Sequence, residues 1–137
     1  MPAPHPIPIF DGHNDTLLDL YNNGQAARRS FFEQSDEGHI DLPRARQGGL
    51  GGGFFAIFTP AGAGQARPQP AATPADVVAF LRERTAPVDQ ADALAYTLGM
   101  ASLLFRLERE GDGQVKIVRT ADELADCLAD DVFAMIF

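Results

Sequence analysis

The chain has 137 residues, 45% of them hydrophobic, with 13 glycines, 10 prolines and a formal charge of -8 from 19 acids against 11 bases, a length that allows one domain with a core. Lys116 is the only lysine and the arginines are scattered, so no basic stripe exists to neutralise phosphates and nucleic acid is excluded as a partner. The single cysteine, Cys127, excludes an internal disulfide framework, and the proline-rich start has neither a basic lead nor an apolar run fit for a signal peptide or membrane span, which points to a cytoplasmic protein with no membrane partner.

Ile7-Pro8-Ile9-Phe10 predicts a short first strand that turns sharply at Asp11-Gly12. Leu17, Leu18, Leu20 and Tyr21 then suit a helix begun by Asp15 or Thr16 and stopped at Asn22-Asn23-Gly24. Residues Gln25 to Gly38, polar but for Phe31-Phe32, are expected to wrap the surface, with Arg28-Arg29 solvated. Pro43 opens a brief helix that Gly48-Gly49 close, with Asp41 as its cap. Phe54 to Phe58 is a continuous apolar run, expected as a strand buried on both faces, the kind found in parallel sheets covered by helices.

Thr59 to Ala72 reads as a long loop rich in Pro, Ala and Gly. Thr73-Pro74-Ala75-Asp76 then starts a helix that runs to about Thr85, with Val77, Val78, Phe80 and Leu81 on its apolar face. A second helix from Asp89 to Gly111 has Leu94, Leu98, Ala101, Ser102 and Phe105 at helical spacing, and an exposed apolar helix face would point to a homodimer. Asp112-Gly113 is a turn, Val115 to Val118 a short strand, and Thr120-Ala121-Asp122-Glu123 a capping box opening a helix with Leu124 and Leu128. Asp130-Asp131 break that helix, and Val132 to Phe137 is strand again. Strands alternating with helices predict an α/β fold with a mainly parallel sheet. The final apolar run stops with no turn or polar tail behind it, which reads as a chain cut in mid-fold.

Asp11-Gly12-His13-Asn14-Asp15 carries the strongest chemical signal. Side chains two apart in an extended backbone point the same way, so His13 and Asp15 project together from the end of the first strand, as half of a metal site. The same triplet is also explained by Asp15 capping the next helix and His13 bonding within the turn. His39 and Asp41 repeat the His-x-Asp pattern, but they lie before a helix that leads into a strand, and we read them as structural. The glycine run from Gly48 to Gly53 precedes a strand and lacks the Lys-Ser or Lys-Thr of a phosphate loop. Cys127 reads as packed rather than reactive, having no His or basic neighbour to lower its pKa. Arg106, Glu108, Arg109 and Glu110 read as an exposed helix face with weak ion pairing, and His5 as an idle group among prolines.

Three motifs in order, Asp11 to Asp15, Gly38-His39-Ile40-Asp41-Leu42-Pro43-Arg44, and Gly51 through Pro60, together with the run from Val115 to Phe137, resemble the renal-type (membrane) dipeptidase family of zinc peptidases. The resemblance spans nearly the whole chain. It implies a (β/α)₈ TIM barrel of which residues 1–137 form the N-terminal part of a single domain, with only about the first three barrel strands present and Val132 to Phe137 as the third. It implies two Zn2+ ions per complete site, His13 and Asp15 as ligands of one of them, and a bridging glutamate and later histidines that lie beyond this sequence. The implied reaction is hydrolysis of dipeptides, some with a C-terminal D-residue, by a hydroxide shared between the zinc ions.

Phe58, at the end of the second strand, is a candidate to line the substrate pocket, against the alternative that it closes the top of the core. No residue in this chain is assigned as the catalytic acid or base, and the 137 residues alone are expected to be inactive and to aggregate through exposed sheet edges. Two other readings stay open: a related metal-dependent amidohydrolase acting on another amide, and a non-catalytic metal-binding or interaction module. The bias to Ala, Gly and Arg fits a GC-rich bacterial gene.

Overall fold

A computed structural model describes residues 7–23, 29–60, 73–84 and 87–137. Gly24, Arg28, most of the long loop after the second strand, Thr85 and His5 lie outside the described residues. The chain divides into two compact units, one made of Met1–Ile57 with Met100–Phe137 and the other of Phe58–Gly99.

The first unit is built on a four-stranded parallel sheet in the order β1-β2-β4-β3, comprising β1 (Ile9–Asn14), β2 (Leu50–Phe55), β3 (Val115–Ile117) and β4 (Phe133–Ile136). Helix α1 (Thr16–Asn23) follows β1, α2 (Leu42–Gln47) leads into β2, and α5 (Ala121–Ala129) joins β3 to β4. The α/β class with a parallel sheet is as the alternating pattern predicts. β4 shows why its sequence is apolar throughout: Phe133, Ala134 and Met135 are all buried, because successive residues serve opposite faces of a sheet covered on both. On one face Phe133 meets Phe31 and Phe55 edge-to-face, with ring centroids 5.9 and 6.1 Å away. On the other, Ala134 packs with Cys127 of α5 and Val118, flanked by Phe10, Leu124, Val132 and Ile136.

Four sequence expectations are corrected in this unit. β1 does not turn at Asp11-Gly12 but continues to Asn14, because β2 offers it a ladder that includes Asp11 opposite Gly53 and Asn14 opposite Phe55. β2 begins at Leu50, inside the glycine run, and ends at Phe55; Phe54 is 47% exposed rather than buried. Glycine is required there by close approach: a Cβ on Gly52 would strike the Ala134 carbonyl of β4 and come 2.8 Å from the Phe10 ring. Phe31, in a segment expected on the surface, is buried in the aromatic cluster, and its carbonyl accepts a hydrogen bond from the Leu42 amide at 2.8 Å. In the same segment Arg29 is not solvated: its side chain is 3% exposed and donates to Asp19 Oδ2 at 2.8 Å and to the Ile40 carbonyl.

α4 (Gln90–Glu110) runs through both units. In the first unit it buries Met100, Leu103, Leu104 and Leu107, an i, i+3, i+4, i+7 stripe. The apolar positions picked out by helical spacing in the sequence, Leu94, Leu98 and Phe105, are exposed. Glu108 is more than a surface charge, since its Oε1 accepts from the Ile117 amide of β3 at 2.8 Å. Arg106 and Glu110 stand 3.8 Å apart with both side chains more than half exposed, the weak pair expected.

The second unit holds α3 (Pro74–Arg84) and the start of α4. Helix α3 starts where its sequence predicts, and the start is closed as a reciprocal box, with Thr73 Oγ1 accepting from the Asp76 amide at 3.2 Å and Asp76 Oδ2 accepting from the Thr73 amide at 2.9 Å. Asp89 caps α4 through Oδ1, which accepts from the Ala91 amide at 2.8 Å. Thr120 likewise caps α5, its Oγ1 accepting from the Glu123 amide at 3.2 Å. Glu123 returns its carboxylate to the Arg119 amide at 2.7 Å, the main cause holding its pKa below the usual value. Among the described residues no helix is long and apolar enough to cross a membrane.

Candidate metal site

Parallel strands end on one edge of a sheet, and in α/β folds that edge is where sites form, because loops there converge from several strands. His13 lies near the end of β1, and Asp15 follows the strand directly. Their side chains point together as the two-residue spacing predicts: His13 Nε2 lies 3.6 Å from Asp15 Oδ1, with side chains 69% and 59% exposed. Two donors on one tetrahedral zinc ion at ordinary bond lengths stand roughly 3.3 Å apart, so this imidazole and carboxylate fit adjacent positions on one metal. A complete zinc site needs further donors beside these two. Among the described residues no group of three or more His, Cys, Asp and Glu side chains gathers.

Between them Asn14 is turned inward and is 8% exposed. Its Nδ2 donates to Asp11 Oδ2 at 2.9 Å and to the Phe54 carbonyl at 3.1 Å, while its Oδ1 accepts from the Thr16 amide at 3.2 Å. Its own carbonyl accepts from the Ala56 amide at 2.9 Å. The side chain that receives an amide at the start of α1 is therefore that of Asn14, not of Asp15 or Thr16; the Asp15 carbonyl takes the first helical bond, from the Asp19 amide at 3.0 Å. Asn14 does not stand out in the sequence, because its neighbours carry the ligand chemistry. The signal available was a polar residue alternating inward between two outward ones.

In the second His-x-Asp pair, Asp41 is structural, as its position before α2 predicts. Asp41 is fully buried and accepts from the Arg44 amide at 2.9 Å, the Ser35 amide at 3.1 Å and Arg44 Nε at 2.6 Å. Burial pushes its pKa up, but these bonds and the Arg44 charge outweigh it and hold the carboxyl below its ordinary value. His39 is exposed. Phe58 belongs to the second unit and is 51% exposed. Cys127 is buried, and burial pushes its thiol pKa up, as expected of a packed and unreactive cysteine.

The sequence model of a family described as membrane dipeptidase, peptidase family M19, matches residues 4–137. A crystallised metallopeptidase from Rhodobacter sphaeroides, liganded with a phosphinate mimic of the dipeptide L-Ala-D-Ala, is 37% identical with a TM-score of 0.71 over 96% of this chain and 37% of its own. The crystal structure of dipeptidase AC, a metallopeptidase of family M19, is also 37% identical, with a TM-score of 0.70 over 96% of this chain and 35% of its own. A protein of Acinetobacter calcoaceticus described as an uncharacterized protein in the PQQ-III 3' region is 43% identical over 58 residues, which are 42% of this chain and 18% of that protein. The chain thus spans little more than a third of the structures it matches.

Proposed function

Because the chain belongs to the membrane dipeptidase family, peptidase family M19, we propose that the complete protein is a zinc-dependent dipeptidase in which His13 and Asp15 hold one ion of a two-zinc site. The observation that carries this reading is the 3.6 Å approach of His13 Nε2 to Asp15 Oδ1 at the end of a parallel strand. When bound, the metal pair supplies Lewis-acid polarisation of the scissile carbonyl and an acidified water as nucleophile. His13 contributes a neutral imidazole nitrogen and Asp15 a carboxylate oxygen, and neither serves as the general base. The phosphinate dipeptide mimic bound by the Rhodobacter sphaeroides relative supports a dipeptide substrate, with tolerance of a C-terminal D-residue.

The same reading makes residues 1–137 the N-terminal part of a (β/α)₈ barrel. β1, β2 and β4 are neighbours in order and run parallel, and they serve as its first three strands, with β3 an addition beside β4. The remaining ligands then come from later strands, and the 137 residues alone would not turn over a dipeptide. Phe58 lines the substrate pocket in this reading. Phe58→Ala should raise KM while leaving the melting temperature unchanged, and a lowered melting temperature with unchanged KM would make Phe58 a packing residue instead.

The test is made on the full-length protein, with zinc measured by elemental analysis and turnover measured on L,L- and L,D-dipeptides. Two zinc ions per chain, dipeptide hydrolysis, and loss of one zinc in His13→Ala or Asp15→Ala are expected. Unchanged zinc content in both variants would overturn the ligand assignment, and turnover of N-acyl amino acids in place of dipeptides would overturn the substrate.

A further inference from the structure

The donors His13 and Asp15 are more than half exposed, so little packing around their side chains fixes where they point. Their direction is set by the backbone between them, and Asn14 fixes that backbone. Both N–H groups of its amide are used, one on Asp11 within β1 and one on the Phe54 carbonyl of β2, and its Oδ1 holds the first turn of α1 through the Thr16 amide. The amide cannot be reversed without setting oxygen against the Asp11 carboxylate and the Phe54 carbonyl, and N–H against the Thr16 N–H. Gly53 of β2 clears the space for it, since a Cβ there would come 2.9 Å from Asp11 Cβ and 3.3 Å from Asn14 Nδ2. Strand, neighbouring strand and helix are thus locked at the one residue that separates the two donors.

We propose that Asn14 is the positioning residue of the metal site: it holds the His13 and Asp15 side chains at the spacing one ion requires. The inference rests on the reading of these two residues as ligands. Asn14→Asp is the informative change. It keeps the shape and the acceptor for Thr16 but replaces both donors with an oxygen facing two other oxygens. Outer groups that orient metal ligands typically contribute 10- to 100-fold to metal affinity, and a weakening of about that size is expected for one of the two zinc ions.

The experiment uses the full-length protein and measures zinc affinity by competition with a chromophoric chelator, at a temperature where circular dichroism shows each variant folded. A residue that only stabilises the fold would lower the melting temperature and leave the zinc affinity of the folded protein unchanged, and that result for Asn14→Asp overturns the inference. His13→Ala separates the two levels. If it loses one zinc while Asn14→Asp binds both normally, Asn14 is no positioning residue although the ligand reading stands; if it retains both zinc ions, the ligand reading itself falls, and the inference with it. Should Asn14→Asp not fold, Asp11→Ala removes the acceptor of one amide donor. It is expected to weaken one zinc several-fold, and unchanged affinity there overturns the inference.

Discussion

Replacing Asp41 by Ala removes the acceptor of two backbone amides and one guanidinium N–H from a fully buried position. Arg44 is 30% exposed and can turn to water, so its share is discounted for solvent screening. The helix cap on the Arg44 amide is worth about 1 kcal/mol, and leaving the part-buried Ser35 amide unpaired costs about 1–2 kcal/mol. A loss of about 2–3 kcal/mol is therefore expected for Asp41→Ala in urea unfolding of the full-length protein at neutral pH. Asp41→Asn, which keeps one acceptor oxygen, should lose about half of that.

The acid dependence of this contribution follows from its sign. The folded pKa of Asp41 lies below the ordinary value of 3.8, so protonation is harder in the folded state than in the unfolded one. The contribution is fully present above that ordinary value and is lost as pH falls through the lowered folded pKa. The stability gap between the wild type and Asp41→Asn should hold constant from neutral pH down to about pH 5 and narrow below about pH 4. An Asp41→Ala protein within about 0.5 kcal/mol of the wild type, or a gap that stays constant in strong acid, would refute the reasoning.

Gly52→Ala should be among the most damaging single changes in the sheet. The added carbon meets the backbone of β4 rather than a movable side chain, so a loss of about 3 kcal/mol or failure to fold is expected; a melting temperature equal to that of the wild type would show that β2 and β4 do not approach so closely. Cys127 should resist a thiol reagent in the native protein and react fully in denaturant, because its thiol is buried and its pKa raised. Labelling at equal rates in both states would count against its burial between α5 and the sheet.

The parts of the fold legible in the sequence are those decided within a few residues. Thr73, Asp89, Asp41 and Thr120 announce helix starts, and the structure uses all four as caps because an oxygen there reaches amides two or three residues on. The bounds of β2 were illegible for the opposite reason. A run of glycines has no side-chain pattern, and its strand character comes from partners distant in sequence on β1 and β4. α4 has two apolar stripes compatible with a helical period, so only tertiary contact decides between Met100-Leu103-Leu104-Leu107 and Leu94-Leu98-Phe105. Phe31 and Arg29 sit in a polar neighbourhood and are drawn inward by an aromatic cluster and by Asp19, neither of which local reading shows. His13 and Asp15 were legible as a pair because strand geometry fixes their common direction. Asn14 was not, because its work is done through bonds to β2 and α1.

The strand order also dictates an order of events. β4 comes last of the four in sequence yet lies inside the sheet, with β2 on one side and β3 on the other. During synthesis β1 and β2 can pair as soon as both have left the ribosome, but β3 has nowhere to dock until β4 follows it. For that interval the inner edge of β2, with its glycines bare of side chains, is open to any extended segment. The α5 crossover that carries Cys127 is short, and it shortens this exposure by delivering β4 to that edge soon after β3.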